Sequence, residues 1–485
     1  MVLHTDTLVV IAIYALMLFT AVRILLDLGN TPKALSCLVL AVMLPVVGSV
    51  VYFTLGVNYR KRRIYSKKLK ATRQLLHQIR QNFVVATEQL IARDAPLLGG
   101  HTQLAELILN ETGEPLSRNR VALLLNGEAK FPAVLEDMEK ARHFIHIEYY
   151  IYEEDEIGKR IKDMLIRKAK EGVKVRFIYD DFGSRYLSRE FLRELKAGGV
   201  EAFPFYRVLW PFLASRMNYR NHRKIIVIDG HTGYVGGINV SDRYINPPQN
   251  NGHYWRDTHI RIEGPAVWSL QYTFLSDWNY CSRQQLNPDE RLFPPAPKSP
   301  DGNAELVQIV VSGPDFERSG TMLSFFTAIA GANERIYLTS PYFIPNASIL
   351  DSLRKAALTG KDVRLLVPGR SDSGFTNAAS SSYYKELLDC GVKIYFYQKG
   401  FIHAKTLVID DYISFVGTAN MDYRSFDLNF EINAVVYGRE FCDQLARSFM
   451  EDIGHSKLIT PRMWQRRSRK EELGSKIARL FSPLL

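Results

Sequence analysis

Two long apolar runs open the chain, and a regular alternation of strand-like and helix-like segments follows them. Residues 8–26 carry a single charge, Arg23, near the end of the run, where its long stem can reach the interface. A polar break over 27–33 precedes a second apolar run over 34–57, and each run is close to the roughly 20 residues a helix needs to cross a bilayer. Together they predict a transmembrane helical hairpin, with spans at about 8–26 and 34–57 and a kink at Pro45 and Gly48 in the second. A cleaved signal peptide is the poorer reading, because the start lacks basic residues and another apolar run follows at once.

Behind the hairpin, residues 60–117 read as a basic helical segment. Arg60, Lys61, Arg62, Arg63, Lys67, Lys68 and Lys70 crowd just past the second run. By the positive-inside rule the N-terminus and everything downstream are expected on the cytoplasmic side. The segment suits a helix against anionic head groups and a solvated linker helix equally well.

From residue 118 the pattern becomes that of an α/β domain. Strands are predicted at 144–152 and 173–179, and helices at 156–171, 188–196 and 265–280. The stretch 206–221 is aromatic and apolar without clean periodicity, and reads as a loop shaping a site entrance. Pro288, Pro294, Pro295, Pro297 and Pro300 mark a linker over 287–303. The plan then repeats: 335–342 matches 144–152, 363–367 matches 173–179, and Gly391-Val392 matches Gly199-Val200. Two duplicated α/β halves, 118–286 and 304–460, are therefore expected to build one site jointly. A basic tail over 461–485 closes the chain, either as a helix on a membrane surface or as a solvated extension.

Composition agrees with a folded protein of more than one unit: 485 residues, 46% hydrophobic and 23% charged. The formal charge of +11 suits a phospholipid surface or nucleic acid, and equally a solvated basic face. Cys37, Cys281, Cys390 and Cys442 lie far apart without metal-binding spacing, so reduced thiols and no structural metal are expected. His143 and His146 lack a third ligand and read as packing residues. His231, His253 and His259 lie near the first motif described next and are candidates for its rim.

The strongest repeat is local. Residues 222–229 read His-Arg-Lys-Ile-Ile-Val-Ile-Asp and residues 403–410 read His-Ala-Lys-Thr-Leu-Val-Ile-Asp. Each is followed by a glycine turn ending in asparagine, Gly236-Gly237-Ile238-Asn239 and Gly417-Thr418-Ala419-Asn420. His455-Ser456-Lys457 shares two letters but has Arg462 where the aspartate belongs, and reads as a surface feature.

In an extended chain His222 and Lys224 share one face, as do His403 and Lys405. The apolar run behind each pair predicts a buried strand with the polar pair at its mouth. Asp229 and Asp410 sit at an odd offset and leave that row, so they are expected to brace the turn or pair with a buried cation. The six motif residues His222, Lys224, Asp229, His403, Lys405 and Asp410 form the candidate catalytic set. Asn239, Asn420, Gly237 and Thr418 supply donors or backbone access for a phosphate.

Two histidines around one phosphodiester divide the labour. One attacks phosphorus to give a phosphohistidine, and the other protonates the departing alkoxide and later activates the incoming alcohol. The lysines and asparagines carry the growing negative charge, so no metal and no cofactor is required.

These residues resemble the HKD motifs of the phospholipase D superfamily. With Asn221 through Lys224, Trp255-Arg256-Asp257-Thr258, residues 340–345 and 417–431, the whole chain is similar to the bacterial cardiolipin synthase family. The resemblance implies phosphatidyl transfer between two phosphatidylglycerols with release of glycerol, on a bacterial cytoplasmic membrane. It further implies His222 as nucleophile, His403 as acid and base, and Asp257 and Glu431 as carboxylates orienting the histidines. A phospholipase D, a phosphatidylserine synthase and a non-catalytic lipid-binding scaffold are the alternatives. Nucleic acid is not an expected partner, because the anchor would hold the site at a lipid surface.

Overall fold

The computed structural model describes residues 5–26, 31–53, 84–206, 219–246, 254–286, 291–294 and 304–484. The basic collar at 60–70, the end of the second apolar run, most of 206–221, His253 and most of the 287–303 linker lie outside the described residues.

The first half contributes β1 (Ser117–Leu125), β2 (Phe144–Tyr149), β3 (Lys174–Tyr179), β4 (Glu201–Pro204), β5 (Lys224–Ile228), β6 (Thr232–Gly236), β7 (Tyr254–Arg256) and β8 (Thr258–Glu263). The second contributes β9 (Glu305–Ser312), β10 (Arg335–Thr339), β11 (Phe343–Ile344), β12 (Asp362–Pro368), β13 (Lys393–Tyr397), β14 (Gly400–Ile402), β15 (Thr406–Ile409), β16 (Ile413–Gly417), β17 (Met421–Asp422), β18 (Glu431–Tyr437) and β19 (Ser456–Ile459). Fifteen of these form one sheet in the order β19-β13-β12-β10-β15-β16-β18-β9-β1-β8-β6-β5-β2-β3-β4.

Outward from the central antiparallel pair β1–β9, the two sides repeat each other strand for strand and sense for sense. The sheet thus has the internal duplication that the sequence repeats predict, with β19 as an extra edge strand. His455 and Lys457 fall at that outer edge, exposed and remote from the motif strands.

The motif strands β5 and β15 are buried along their whole length, which explains their unbroken apolar runs. Helices cover both faces. One of them, Glu156–Lys170, is capped by Asp155, whose side chain accepts from the Gly158 N–H, and its last turn holds Arg167, Lys168 and Lys170. One hydrophobic core runs across the dyad: Ile225, Val235 and Ile260 of the first half pack with Val307, Val416 and Ile432 of the second. The halves are therefore one folded unit.

The N-terminal region departs from the expected hairpin. Helix α1 (Thr5–Leu26) is long and apolar enough to cross a membrane. The predicted span at 34–57 is instead broken into α2 (Thr31–Met43) and α3 (Pro45–Val51). At 1.5 Å per residue these are about 20 and about 10 Å long, short of a roughly 30 Å hydrocarbon core. Pro45 lacks the N–H that would continue the ladder, and Leu44 leaves the helical conformation. Gly48, without a Cβ, lets α3 fold back against the backbone of Ala41. The hydroxyls of Thr20 and Ser49, 2.8 Å apart, then tie α3 to α1.

The basic tail forms a helix, Arg469–Leu480, with a capping box at Ser468 and Glu471. Arg479 pairs with Glu386 of the helix Gly374–Asp389, and the Ser36 hydroxyl donates to the Leu480 carbonyl at 2.5 Å. The tail therefore joins the catalytic body to α2.

Candidate active site

Both motifs enter the sheet beside strands that end where theirs begin. Lys224 opens β5 opposite Tyr149, the last residue of β2, and Thr406 opens β15 opposite Thr339, the last residue of β10. His222 and His403 precede these strands, so both project at the carboxyl ends of the parallel strands, the usual ligand crevice of such sheets.

The two histidines are held crosswise. His222 Nδ1 lies 3.0 and 2.9 Å from the oxygens of Glu431, and its N–H donates to the Phe430 carbonyl at 3.0 Å. His403 Nδ1 lies 2.7 Å from Asp257 Oδ2, and its N–H donates to the Arg256 carbonyl at 2.7 Å. Each imidazole is thus oriented by the opposite half, and the parallel pairing of β7 with β14 locks that exchange. Neither half alone contains a complete site.

All of these groups are buried. Burial pushes His222 down to about 4 against the attraction of Glu431. Burial, reinforced by Lys405, pushes His403 down to about 3. Both imidazoles are therefore neutral near pH 7. Burial, with Lys405 nearby, lowers Lys224 to about 7, while burial lowers Lys405 to about 8 against Asp257 and Glu431. Burial alone would raise Glu431, but His222, Lys224 and Thr418 together hold it below the usual range. Lys224 Nζ donates to the His222 carbonyl at 2.8 Å and Lys405 Nζ to the His403 carbonyl at 2.5 Å.

Two lysines face two carboxylates in the crevice, and no further cation of the motifs joins them. A phosphodiester entering here would favour protonated lysines and one protonated imidazole.

Asp229 and Asp410 lie at the far ends of their strands, about 17 Å from the lysines at roughly 3.3 Å per residue. They belong to the motif but not to the crevice. Each adopts a positive φ, 51° and 52°, that starts the turn into the next strand, a conformation aspartate tolerates. Asp229 accepts the N–H groups of Arg142, His143 and Phe144 at the start of β2. Asp410 accepts those of Asn333, Glu334 and Arg335 before β10, and pairs with His101 at 3.1 Å.

Burial opposes the charge on Asp410, but His101 and the backbone donors outweigh it and hold the carboxyl well below its ordinary value. Its stabilisation is therefore whole above about pH 4, the unfolded carboxyl range, and lost as pH falls further. Asp410→Asn should lower the melting temperature at pH 7 and flatten the acid loss of stability below pH 4. The folded variant should keep turnover within about threefold, since bracing at the far end of the strand does not touch the chemistry. A variant that melts like the parent yet loses turnover contradicts this role.

The glycine turns serve the carboxylates. A Cβ on Gly237 would lie within 3.0 Å of Asp257 Oδ1, and the Thr418 hydroxyl donates to Glu431 at 2.5 Å. The Asn239 amide accepts from the Ile151 N–H at 3.3 Å and donates to the Tyr244 hydroxyl at 3.0 Å. Asn420 Oδ1 is buried without a hydrogen-bond partner among the described residues. Gly237→Ala should displace Asp257 and lower turnover at least about tenfold through overpacking. Gly474→Ala, at an open position, should leave turnover unchanged and serves as the control.

Of the rim candidates, the described residues His231 and His259 do not line the crevice. His259 is fully buried beside Gly236, and His231 sits in the turn after Asp229. His146 is stacked between Phe144 and Phe274 and bonded to Gln271 at 2.9 Å. Among the described residues no cluster of three or more His, Cys, Asp or Glu side chains could hold a metal.

Sequence reasoning missed the aromatic walls. Tyr150 packs edge-on to His222 at 4.9 Å, while Trp255 and Phe401 each lie 5.9 Å from His403. It gave no role to Arg256, which is buried against Asp452 and Ser448 and donates to the Asp257 carbonyl at 2.6 Å. The available signal was position: Tyr150 follows β2, Phe401 stands two residues before His403, and Trp255 and Arg256 immediately precede Asp257.

A pseudo-symmetric α/β sheet carrying two H-x-K sets, each completed by a carboxylate from across the dyad, defines a phospholipase D-type site. A family profile described as "Cardiolipin synthase, PLD-like domain" matches residues 134–278 and 325–453. The cardiolipin synthase of Geobacillus kaustophilus (strain HTA426) is 42% identical over 467 residues, covering 96% of this chain and 91% of that one. That of Listeria monocytogenes serotype 4b (strain CLIP80459) is 38% identical and covers 99% of both. The chain belongs to the cardiolipin synthase family of phospholipase D-like proteins. A crystal structure of a phosphatidylserine synthase from Haemophilus influenzae Rd KW20 shares the fold. It aligns with a TM-score of 0.58 at 14% identity, covering 79% of this chain and 100% of that one.

Proposed function

We propose that this site performs the cardiolipin synthase reaction, moving a phosphatidyl group from one phosphatidylglycerol to the hydroxyl of another and releasing glycerol. The observation that carries the reading is the crosswise pairing of His222 with Glu431 and His403 with Asp257 in a chain led by apolar segments.

His222 is the nucleophile. Both Glu431 oxygens face its Nδ1, and its Nε2 has no hydrogen-bond partner among the described residues, whereas Lys405 Nζ stands 3.1 Å from His403 Nε2. His222 Nε2 bonds to phosphorus as the bond to glycerol breaks, and His403 delivers a proton to the departing oxygen. The second lipid's hydroxyl then gives its proton to His403 and attacks phosphorus, and the nitrogen–phosphorus bond breaks. Lys224 and Lys405 compensate the charge of the transferred phosphate, so no cofactor enters the scheme. The apolar segments anchor the chain in a bacterial cell membrane, with the catalytic body on the cytoplasmic side that the basic run at 60–70 favours.

Full-length protein in phosphatidylglycerol vesicles tests this. Lipid chromatography should show cardiolipin with equimolar glycerol, unaffected by chelator. Phosphatidic acid in place of cardiolipin, or no product, overturns the reading.

A further inference from the structure

We propose that Arg220 forms a second anion subsite on the His222 side of the active site, and that its ligand is the acceptor lipid's own phosphodiester. The inference rests on the phosphatidylglycerol-to-phosphatidylglycerol reading and names the residue that selects this acceptor over water.

Arg220 stands two residues before His222 and four before Lys224 in an extended segment, so the three share a face. Tyr150 marks that face. Its ring lies 4.9 Å from the His222 ring and 5.5 Å from Lys224 Nζ, and it feels the charges of both Arg220 and Arg424.

Among the described residues, the terminal nitrogens of Arg220 are left without hydrogen bonds. The residue is 4% exposed, as deep as Lys405 at 4%. The guanidinium rests on the Phe182 ring at 4.6 Å, and Asp180 Oδ1 stands 3.9 Å from Nη1. The oxygens of Asp180 are already engaged by the N–H groups of Phe182, Gly183 and Asn221, at 3.1, 2.8 and 3.0 Å. A guanidinium held out of water without bonded acceptors is costly to maintain, and its planar donor fork fits phosphate oxygens.

The pseudo-dyad sharpens the assignment. The position two residues before His403 is Phe401, whose ring packs on Trp255 at 4.9 Å. Histidine, lysine and carboxylate are duplicated, but a cation occupies this place on one side only, and Arg424 of the second half adds positive charge there.

The chemistry supplies a ligand for that asymmetry. The transferred phosphate already has Lys224 and Lys405, and the leaving glycerol is neutral. When the acceptor's hydroxyl oxygen bonds to phosphorus, the His222 nitrogen–phosphorus bond breaks and the proton passes to His403. At that moment a second phosphodiester lies three carbons from the attacking oxygen. Water and neutral alcohols bring no such charge.

The test uses full-length protein in phosphatidylglycerol vesicles with two acceptors: phosphatidylglycerol, scored as cardiolipin, and radiolabelled glycerol, scored as label exchanged into phosphatidylglycerol. Arg220→Gln should lower cardiolipin formation by about ten- to a hundredfold, the loss expected for hydrogen bonds to a charged group, while glycerol exchange falls less than about threefold. Arg220→Lys, which keeps the charge without the fork, should fall between Gln and the parent. Parallel loss of both reactions, or no loss in either, overturns the subsite. Parent protein that exchanges glycerol yet forms no cardiolipin overturns the function proposed above, and the subsite with it.

Discussion

Replacing either His222 or His403 by alanine should abolish lipid turnover, by about 10⁴-fold or more, while leaving the fold intact. The reason is geometric. Each half supplies one imidazole and the carboxylate that orients the other half's imidazole, so the first half cannot support the second after a loss, nor the reverse. The variants should nonetheless differ with a phosphatidyl ester of p-nitrophenol, whose leaving group needs no proton. His403→Ala should then release a burst of nitrophenolate as phosphohistidine accumulates, and His222→Ala should release none. A burst in His222→Ala alone would reverse the assigned roles, and near-normal lipid turnover in either variant would remove the shared site.

Neutralising the carboxylates should reproduce those two behaviours with the halves exchanged. Glu431→Gln, although in the second half, should lose the burst, because Glu431 orients His222. Asp257→Asn, although in the first half, should keep the burst and lose lipid turnover, because it orients His403. Each loss is expected at about 10²- to 10³-fold, as for a carboxylate that holds a catalytic imidazole in position. The opposite pattern, in which Asp257→Asn abolishes the burst and Glu431→Gln preserves it, would mean that each carboxylate serves the histidine of its own half.

Much of this site was legible in the sequence because its parts are local. His222 and Lys224, or His403 and Lys405, share a face by the two-residue period of an extended chain, and the mostly apolar four residues behind each pair read as a buried strand. The duplicated order of strands followed from the repeated apolar pattern, and Asp229 and Asp410 left the row by parity alone. The rest depends on what meets across space. The spacing of Asp257 and Glu431 in the chain does not reveal which histidine each touches; that follows from β1 pairing with β9 and β7 with β14.

The second apolar run had the length of a membrane span. Its break depends on Gly48 coming to rest on Ala41, a tertiary contact invisible to hydropathy. Thr418 looked like a phosphate donor because its hydroxyl stands in the motif turn, yet that hydroxyl is committed to Glu431. Arg220 fell in a stretch without periodicity, and its significance appears only once its terminal nitrogens are seen to lack acceptors among the described residues.

The central claim is that two motifs make one reaction centre. It is tested most directly by counting covalent intermediates. Full-length protein mixed with phosphatidylglycerol labelled on phosphorus, quenched in denaturant within a turnover, should carry at most one acid-labile, nitrogen-linked phosphatidyl group per chain, and peptide mapping should place it on His222. Label approaching two groups per chain, on His222 and His403 together, would show two independent centres and contradict the account.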